Sequence, residues 1–157
     1  MKLKPIFLIT LSMLLNAPHF LSSHPTYKLD KDLVIIDVGC RWGFADKFLA
    51  HLDDLQLYGF DADKAECDSL SKQYKSDRIH LVPIGLSNKP GLLQLFSTEN
   101  PGCSSIYPPD QDLIDRFGSI LHCMKEIGQE TINVTTLDAW AKEKNIASID
   151  YMKLDTQ

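Results

Sequence analysis

The chain has 157 residues, a length that suits one domain of modest size and is too short for two full ones. Apolar residues make up 44% of the chain and charged residues 24%, a composition that argues against intrinsic disorder. The formal net charge of −5 provides no basic surface, so a nucleic-acid partner is not expected.

Residues 1–23 form an apolar N-terminal segment with two alternative interpretations. Lys2 and Lys4 precede an apolar run over residues 6–15, which has the form of a secretory signal but is followed by only a weak cleavage site. The run is too short to span a bilayer comfortably, so the alternative is a helix that packs on the domain or associates weakly with a membrane surface. Residues 24–31 are predicted to be a linker, and residues 32–157 the folded domain.

Alternating strand and helix patterns predict an α/β domain with a mostly parallel sheet. The first predicted strand, Leu33–Val38, has four apolar residues, Leu33–Ile36, which lead through Asp37 into a turn marked by Gly39 and Gly43. Pro90 and Gly91 mark a later turn that predicts an antiparallel excursion. The predicted strands cover 33–38, 56–60, 79–82, 92–96, 131–136 and 149–154, the predicted helices cover 44–53, 64–74, 110–127 and 137–145, and a long loop covers 98–110.

The four cysteines are spaced in a way that favours free thiols over a metal site. No two of them form a C-x-x-C pair, and only one has a histidine beside it. We therefore predict buried or partly buried free thiols in a reducing compartment, and no bound metal. The cysteines are Cys40, Cys67, Cys103 and Cys123.

Three acidic residues lie at the carboxyl ends of predicted strands: Asp37 near the end of the first, Asp61 after the second and Asp155 after the last. Ligands of open parallel sheets bind at the carboxyl ends of the strands. Asp61 follows the glycine turn by roughly 20 residues, the spacing at which an acidic residue accepts hydrogen bonds from ribose hydroxyls. Each carboxylate alone could be a helix N-cap or a solvated turn residue, but the three together with the glycine turn favour a nucleotide-like ligand.

The turn sequence Gly39-Cys40-Arg41-Trp42-Gly43 narrows the class of ligand. A dinucleotide fold needs a second glycine where Arg41 stands, and the bulk of Arg41 and Trp42 obstructs a pyrophosphate. A P-loop is excluded because no Gly-Lys-Ser/Thr follows. A nucleoside without phosphates, such as S-adenosylmethionine, needs only the first glycine, and its cationic groups suit Asp37 and the negative overall charge.

The motifs of the chain resemble those of the FkbM family of class I S-adenosylmethionine-dependent methyltransferases. The first motif is DVGCRWGF at residues 37–44, and the likeness continues in the family's order to the end of the chain. The other matching motifs are GFDAD at 59–63, IGLSNKPG at 84–91, CSSI at 103–106, TLD at 136–138 and MKLDTQ at 152–157.

This resemblance implies a Rossmann-like sheet that binds S-adenosylmethionine and transfers a methyl group to a hydroxyl of a sugar or secondary metabolite. It implies that Gly39 and Gly43 shape the methionine pocket and that Asp61, which stands where the family commonly has Glu, binds the ribose. The residues Gly85, Leu86 and Ser87 are expected beside the adenine. The full cofactor-binding set implied by the motifs is Asp37, Gly39, Cys40, Gly43, Asp61, Ala62, Gly85, Leu86 and Ser87.

The resemblance also implies a catalytic role for Asp155. Methyl transfer to a hydroxyl needs a base within hydrogen-bond reach, and the family places Asp155 near the transfer site. His80 and His122 are expected to be packing or surface residues. Because the family continues past this motif, the resemblance implies a sheet that is incomplete at the C-terminus and lacks the other wall of the site.

Two alternative functions stay open at this point. One is a catalytically incomplete remnant that still binds S-adenosylmethionine. The other is a nicotinamide-dependent oxidoreductase, which Arg41 and Trp42 disfavour. Since S-adenosylmethionine is a cytosolic metabolite, a cytoplasmic protein is expected, with or without membrane association, and export is the alternative if residues 1–23 are a signal peptide.

Overall fold

The computed structural model describes residues 29–156, and all elements given below belong to one compact unit, Lys31–Gln157. The predicted segment 1–23, with its apolar run at 6–15, lies outside the described residues, as does most of the predicted linker. The strands are β1 (Leu33–Val38), β2 (Leu55–Phe60), β3 (Ile79–Val82), β4 (Gly85–Leu86), β5 (Gly91–Thr98), β6 (Glu126–Thr135) and β7 (Tyr151–Leu154). The helices are α1 (Asp46–Leu49), α2 (Lys64–Gln73), α3 (Gln111–Arg116), α4 (Gly118–Leu121) and α5 (Leu137–Glu143), and short 3₁₀ turns lie at Leu52–Asp54, Pro101–Cys103 and His122–Met124.

Four parallel strands form the main sheet in the order β3-β2-β1-β7. The central strand, β1, pairs with β2 along its whole length and with β7 over Ile35–Val38. A strand that has a neighbour on each side and is covered on both faces is mostly apolar. The apolar residues of β1 therefore predicted a buried strand inside the sheet. The predicted α/β class and the mostly parallel sheet are confirmed, and the arrangement is compatible with a Rossmann-like fold.

Packing on the two faces of the main sheet divides its core in two. On one face Ile35 packs with Phe44 and with the side chains of α1. On the other face Ile36 and Phe60 pack with Trp140 of α5, whose ring meets the Phe60 ring edge-on at 4.7 Å between centroids. Successive residues of β1 therefore serve opposite faces of the sheet, as the period of two for a strand requires.

The chain between β3 and β7 contains a second sheet of three strands, in the order β4-β6-β5. β5 and β6 are antiparallel over Gly91–Thr98, which confirms the predicted antiparallel excursion. β4 is a short strand that pairs with β6 in parallel through Gly85 and Leu86. The buried side chains of this sheet, Leu95, Ile132 and Val134, form a third apolar cluster.

The single helix predicted over 110–127 is wrong. The segment contains two short helices, α3 and α4, separated at Phe117, whose backbone (φ −121°, ψ 30°) is not helical. The apolar face expected for this helix has little to pack against, since Ile114 is buried but Ile120 is 75% exposed.

Two other predicted elements have different bounds. The predicted strand at 131–136 starts earlier, at Glu126, because its backbone pairs with β5. The helix predicted over 44–53 is also shorter and is confined to α1.

None of the helices within residues 29–156 is long and apolar enough to cross a membrane.

Substitution of Gly59 tests the packing between β2 and the glycine turn. A Cβ atom added to Gly59 would lie 2.7 Å from the Cys40 Sγ and 2.8 Å from the Phe44 Cζ, both in the buried core. We expect Gly59→Ala to lower the free energy of unfolding by about 1–3 kcal/mol, because a well-packed core cannot yield space without strain. Urea unfolding followed by circular dichroism measures this change.

The matched control for this prediction is Gly128→Ala in β6. A Cβ atom at Gly128 meets no atom within 4 Å, so this substitution should change stability by less than about 0.5 kcal/mol. Equal effects of the two substitutions would contradict the packing described for Gly59.

Candidate functional site

A cavity of about 640 Å³ lies at the carboxyl ends of β1, β2 and β7. This volume is in the range of small-molecule sites, and the strand ends of a parallel sheet are where such sites occur. The cavity has a polar part, formed by turns that follow the strands, and an apolar part, formed by the second sheet. The residues of its polar part are Gly39, Arg41, Asp61, Lys153, Asp155 and Thr156.

Gly39 lines the cavity and lies directly against the main chain that follows β7. Its φ is +78°, and a side chain there would collide with the carbonyl oxygen of Asp155. Its N–H donates to the Phe60 carbonyl oxygen at 2.9 Å, which fixes the turn to the end of β2. Glycine is the only residue without a Cβ, so only glycine allows the ends of β1, β2 and β7 to meet so closely.

The second glycine of the turn, Gly43, lies away from the cavity. Its φ is +101°, and a side chain there would collide with the Tyr74 hydroxyl group, which accepts a hydrogen bond from the Phe44 N–H at 3.2 Å. Gly43 therefore serves the packing of the helices on the sheet. The structure does not bring it to the predicted methionine pocket.

Trp42 stands at the mouth of the cavity with its side chain 72% exposed. Its φ of +67° is unusual for a bulky residue, and its N–H donates to the Glu66 carboxylate at 2.9 Å. The indole ring leaves so little room beside Gly102 that a Cβ atom there would lie 2.7 Å from the ring. Trp42 thus links the glycine turn to the loop after β5.

Arg41 forms ion pairs with two carboxylates on the turn after β2. Its guanidinium lies 2.8 Å from Asp63 Oδ2 and 3.5 Å from Asp61 Oδ1. Burial favours a higher pKa for Asp63, but the Arg41 guanidinium and the N–H groups at the start of α2 outweigh it and place the Asp63 pKa below its usual value. Asp61 also accepts the Asp63 N–H at 2.9 Å on the same Oδ1. Its second oxygen, Oδ2, takes part in none of these contacts.

Lys153 of β7 lies between two acidic residues at the base of the cavity. Its Nζ is 3.0 Å from Asp37 Oδ1 and 3.3 Å from Asp155 Oδ2. Asp37 is only 3% exposed, and this burial raises its pKa despite the opposing effect of Lys153. Burial alone would lower the pKa of Lys153, but the two carboxylates outweigh it and raise that pKa. Lys153 therefore stays charged and compensates a carboxylate that water hardly reaches.

The apolar part of the cavity comes from the second sheet and the loop after β5. Leu95, Ile132 and Val134 face the cavity and are themselves buried. Ile106 and Tyr107 complete this side from the loop. Within the described residues the antiparallel excursion thus supplies an apolar wall of the cavity, whereas the absence of the acceptor-side wall that the resemblance implies stays a prediction.

The structure brings most of the predicted site residues together. Asp37 is not on the cavity lining but pairs with the lining residue Lys153, whereas Cys40 is fully buried in the core. Ser87 lines a second pocket, which shares Ile106 and Tyr107 with the cavity. His80 stacks on Tyr58 and His122 is an exposed partner of Glu99, so both are packing or surface residues as predicted. The predicted residues that line the cavity are Gly39, Asp61, Ala62, Gly85, Leu86 and Asp155.

All four cysteines are free thiols. Within residues 29–156, no group of three or more His, Cys, Asp or Glu side chains is arranged to hold a metal ion.

Comparison of the chain with family models, curated proteins and solved structures gave no match.

Removal of the Lys153 charge tests the ion pair between the buried Asp37 carboxylate and the partly exposed Lys153 ammonium group. We expect Lys153→Met to lower the free energy of unfolding by about 1–3 kcal/mol at pH 7, because Asp37 is left buried without its cation. In this variant the native state holds the Asp37 proton more tightly than the unfolded chain does. The loss should therefore shrink as the pH falls from 7 to 5 and the carboxylate becomes protonated. Urea unfolding at both pH values measures it.

Lys144→Met is the control for this prediction, since Lys144 pairs with Glu143 on an exposed helix surface. It should change stability by less than about 0.5 kcal/mol at either pH. The double variant Lys153→Met, Asp37→Asn should recover part of the loss, because no charge is then left buried. A loss for Lys153→Met that is equal at pH 7 and pH 5 would contradict this assignment.

Proposed function

We propose that this domain binds S-adenosylmethionine and transfers its methyl group to a hydroxyl oxygen of a small molecule. The observation that carries the proposal is the cavity at the carboxyl ends of the parallel strands, with Gly39, Asp61 and Asp155 in its lining. The order of motifs that resembles FkbM methyltransferases supports the same assignment. The parallel sheet would then be of the Rossmann-like class I methyltransferase type.

The charge of the site suits a cationic ligand without phosphates. The two basic side chains there, Arg41 and Lys153, are each engaged by two carboxylates. Two of these carboxylates, Asp61 and Asp155, line the cavity, and the other two lie behind the lining. The net negative charge of the six groups favours a sulfonium and an ammonium group and disfavours a pyrophosphate. This balance argues against a nicotinamide dinucleotide, the alternative that Arg41 and Trp42 already disfavour.

The lining residues of the cavity can each be assigned to a part of S-adenosylmethionine. Asp61 would accept ribose hydroxyls on Oδ2, because the Arg41 and Asp63 contacts fall on Oδ1. Gly85 and Leu86, with the apolar wall of the second sheet, would contact the adenine. Gly39 would lie beside the methionine part, where the backbone can approach closely.

Asp155 is the residue proposed to accept the proton of the hydroxyl group. S-adenosylmethionine supplies an electrophilic methyl carbon, so that the carbon–sulfur bond breaks as the new carbon–oxygen bond forms. The Asp155 carboxylate lies on the cavity lining and is exposed, so it can approach a bound hydroxyl. Lys153, 3.3 Å from this carboxylate, would orient it toward the cavity.

Calorimetric titration with S-adenosylmethionine tests the binding part of the proposal. We expect Asp61→Asn to weaken binding by about tenfold or more, because the oxygen proposed to face the ribose, Oδ2, is replaced by an amide NH2 donor and the negative charge is lost. The amide oxygen of Asn can still accept the Asp63 N–H, so the turn should remain folded. Asp54→Asn, on an exposed turn outside the cavity, should leave the affinity unchanged.

Transfer is tested separately with methyl-labelled S-adenosylmethionine and a panel of hydroxyl-bearing acceptors. Binding with labelled product that depends on Asp155 supports the whole proposal. Binding without product from any acceptor would favour the alternative, a remnant that binds the cofactor only. No binding at millimolar S-adenosylmethionine, or tight binding of NAD, would overturn the proposal.

A further inference from the structure

The four cysteines form two pairs that differ in access to solvent. Cys40 and Cys67 face each other in the core and are 0% and 2% exposed. Cys103 and Cys123 lie on two segments that backbone hydrogen bonds hold together, and both are only partly buried. The second pair can therefore meet a small reagent in the folded protein, whereas the first cannot.

Backbone hydrogen bonds fix the Cys103–Cys123 pair independently of the thiols. The Asn100 N–H donates to the Cys123 carbonyl oxygen at 3.1 Å, and the Glu99 N–H donates to the Lys125 carbonyl oxygen at 2.9 Å. The Cys103 N–H donates to the Asn100 carbonyl oxygen at 2.8 Å, across a 3₁₀ turn. Residues three apart in such a turn lie one above the other, so Cys103 lies on the same side as Asn100, next to Cys123.

Charged side chains strengthen the contact between the two segments. The Glu99 carboxylate lies 3.0 Å from the His122 Nδ1 and 3.3 Å from the Lys125 Nζ. These partners lie on either side of Cys123 along the chain. The pair of thiols is therefore set between two segments that already contact each other through main-chain and side-chain bonds.

The same segment forms part of the cavity wall. Pro101, Gly102 and Ser104 line the cavity, and Gly102 lies against the Trp42 indole ring. Cys103 stands between these lining residues. A covalent bond at Cys103 would therefore act directly on the position of the wall.

We propose that Cys103 and Cys123 are a thiol modification site that a small disulfide, such as oxidised glutathione, converts into an intramolecular disulfide. One cysteine thiolate attacks the small disulfide, forms a mixed disulfide and releases one small thiol. The other cysteine thiolate then attacks the mixed disulfide and releases the second small thiol. Two cysteine thiols are oxidised, one small disulfide is reduced, and the two protons end on the released thiols. The bond fixes the Pro101–Cys103 turn to the His122–Met124 turn.

The first experiment measures the modification on the protein itself and does not require the proposed methyltransferase function. The full chain is incubated with oxidised glutathione, the remaining thiols are alkylated, and a non-reducing digest is analysed by mass spectrometry. We expect a peptide that links Cys103 to Cys123, formed at least tenfold faster than any bond between Cys40 and Cys67. Reduced glutathione in excess should reverse it.

Cys123→Ser is the matched variant, because it removes the resolving thiol and keeps the shape of the side chain. In this variant we expect one stable glutathione adduct on Cys103 and no crosslink. Two glutathione adducts on the wild-type chain without a crosslink would overturn the proposal. Preferential oxidation of the Cys40–Cys67 pair would overturn it as well.

The second experiment measures the effect on the cavity wall through Trp42, in the variant Trp140→Phe, where Trp42 is the remaining tryptophan. We expect the disulfide to lower quenching of the Trp42 fluorescence by acrylamide by about half, because the fixed turn stays against the ring. Addition of Cys123→Ser should abolish this change. A crosslink that forms without a change in quenching would overturn the link between the thiol pair and the wall.

Discussion

The close approach of β7 to the turn after β1 is the constraint on which the polar half of the cavity depends. Gly39 lacks a Cβ, so the Asp155 carbonyl can lie against it, and the Asp155 N–H donates to the Val38 carbonyl oxygen at 3.0 Å. This approach extends the pairing of β7 with β1 to the very end of both strands. It thereby places Lys153 opposite Asp37 and within reach of both carboxylates. The missing Cβ of Gly39 thus permits both the close approach of the Asp155 carbonyl and the strand pairing that brings Lys153 to Asp37.

Much of the main sheet could be predicted because its signals are local. β1 and β3 have the predicted bounds, since each is a short, mainly apolar segment followed by turn residues. α2 also starts where predicted, because Asp63 caps it through the N–H groups of Ala65 and Glu66. The segment 110–127 could not be predicted in this way. Its apolar spacing fits a long helix, but its end is decided by pairing between β5 and β6, which lie far apart in the chain.

The cavity could be predicted in part, and for a related reason. The rule that ligands bind at strand ends selected Asp61 and Asp155, which both line it. The rule could not select Lys153, because its partner Asp37 is on a neighbouring strand that is distant in sequence. It also could not select Ile132 and Val134, because an alternating strand does not reveal which of its faces turns toward a ligand.

Trp42 contacts both the glycine turn in the polar part of the cavity and the loop after β5, and its backbone conformation depends on these contacts. A positive φ at a bulky residue is unfavourable by about 1–3 kcal/mol and persists only where other contacts impose it. Here the Glu66 carboxylate binds its N–H, and the contact with Gly102 restrains its ring. The glycine turn and the loop wall therefore share one strained residue. A change that moves the loop near Cys103 also changes the restraint on Trp42, and through it the turn in which Arg41 and Gly39 meet the cavity.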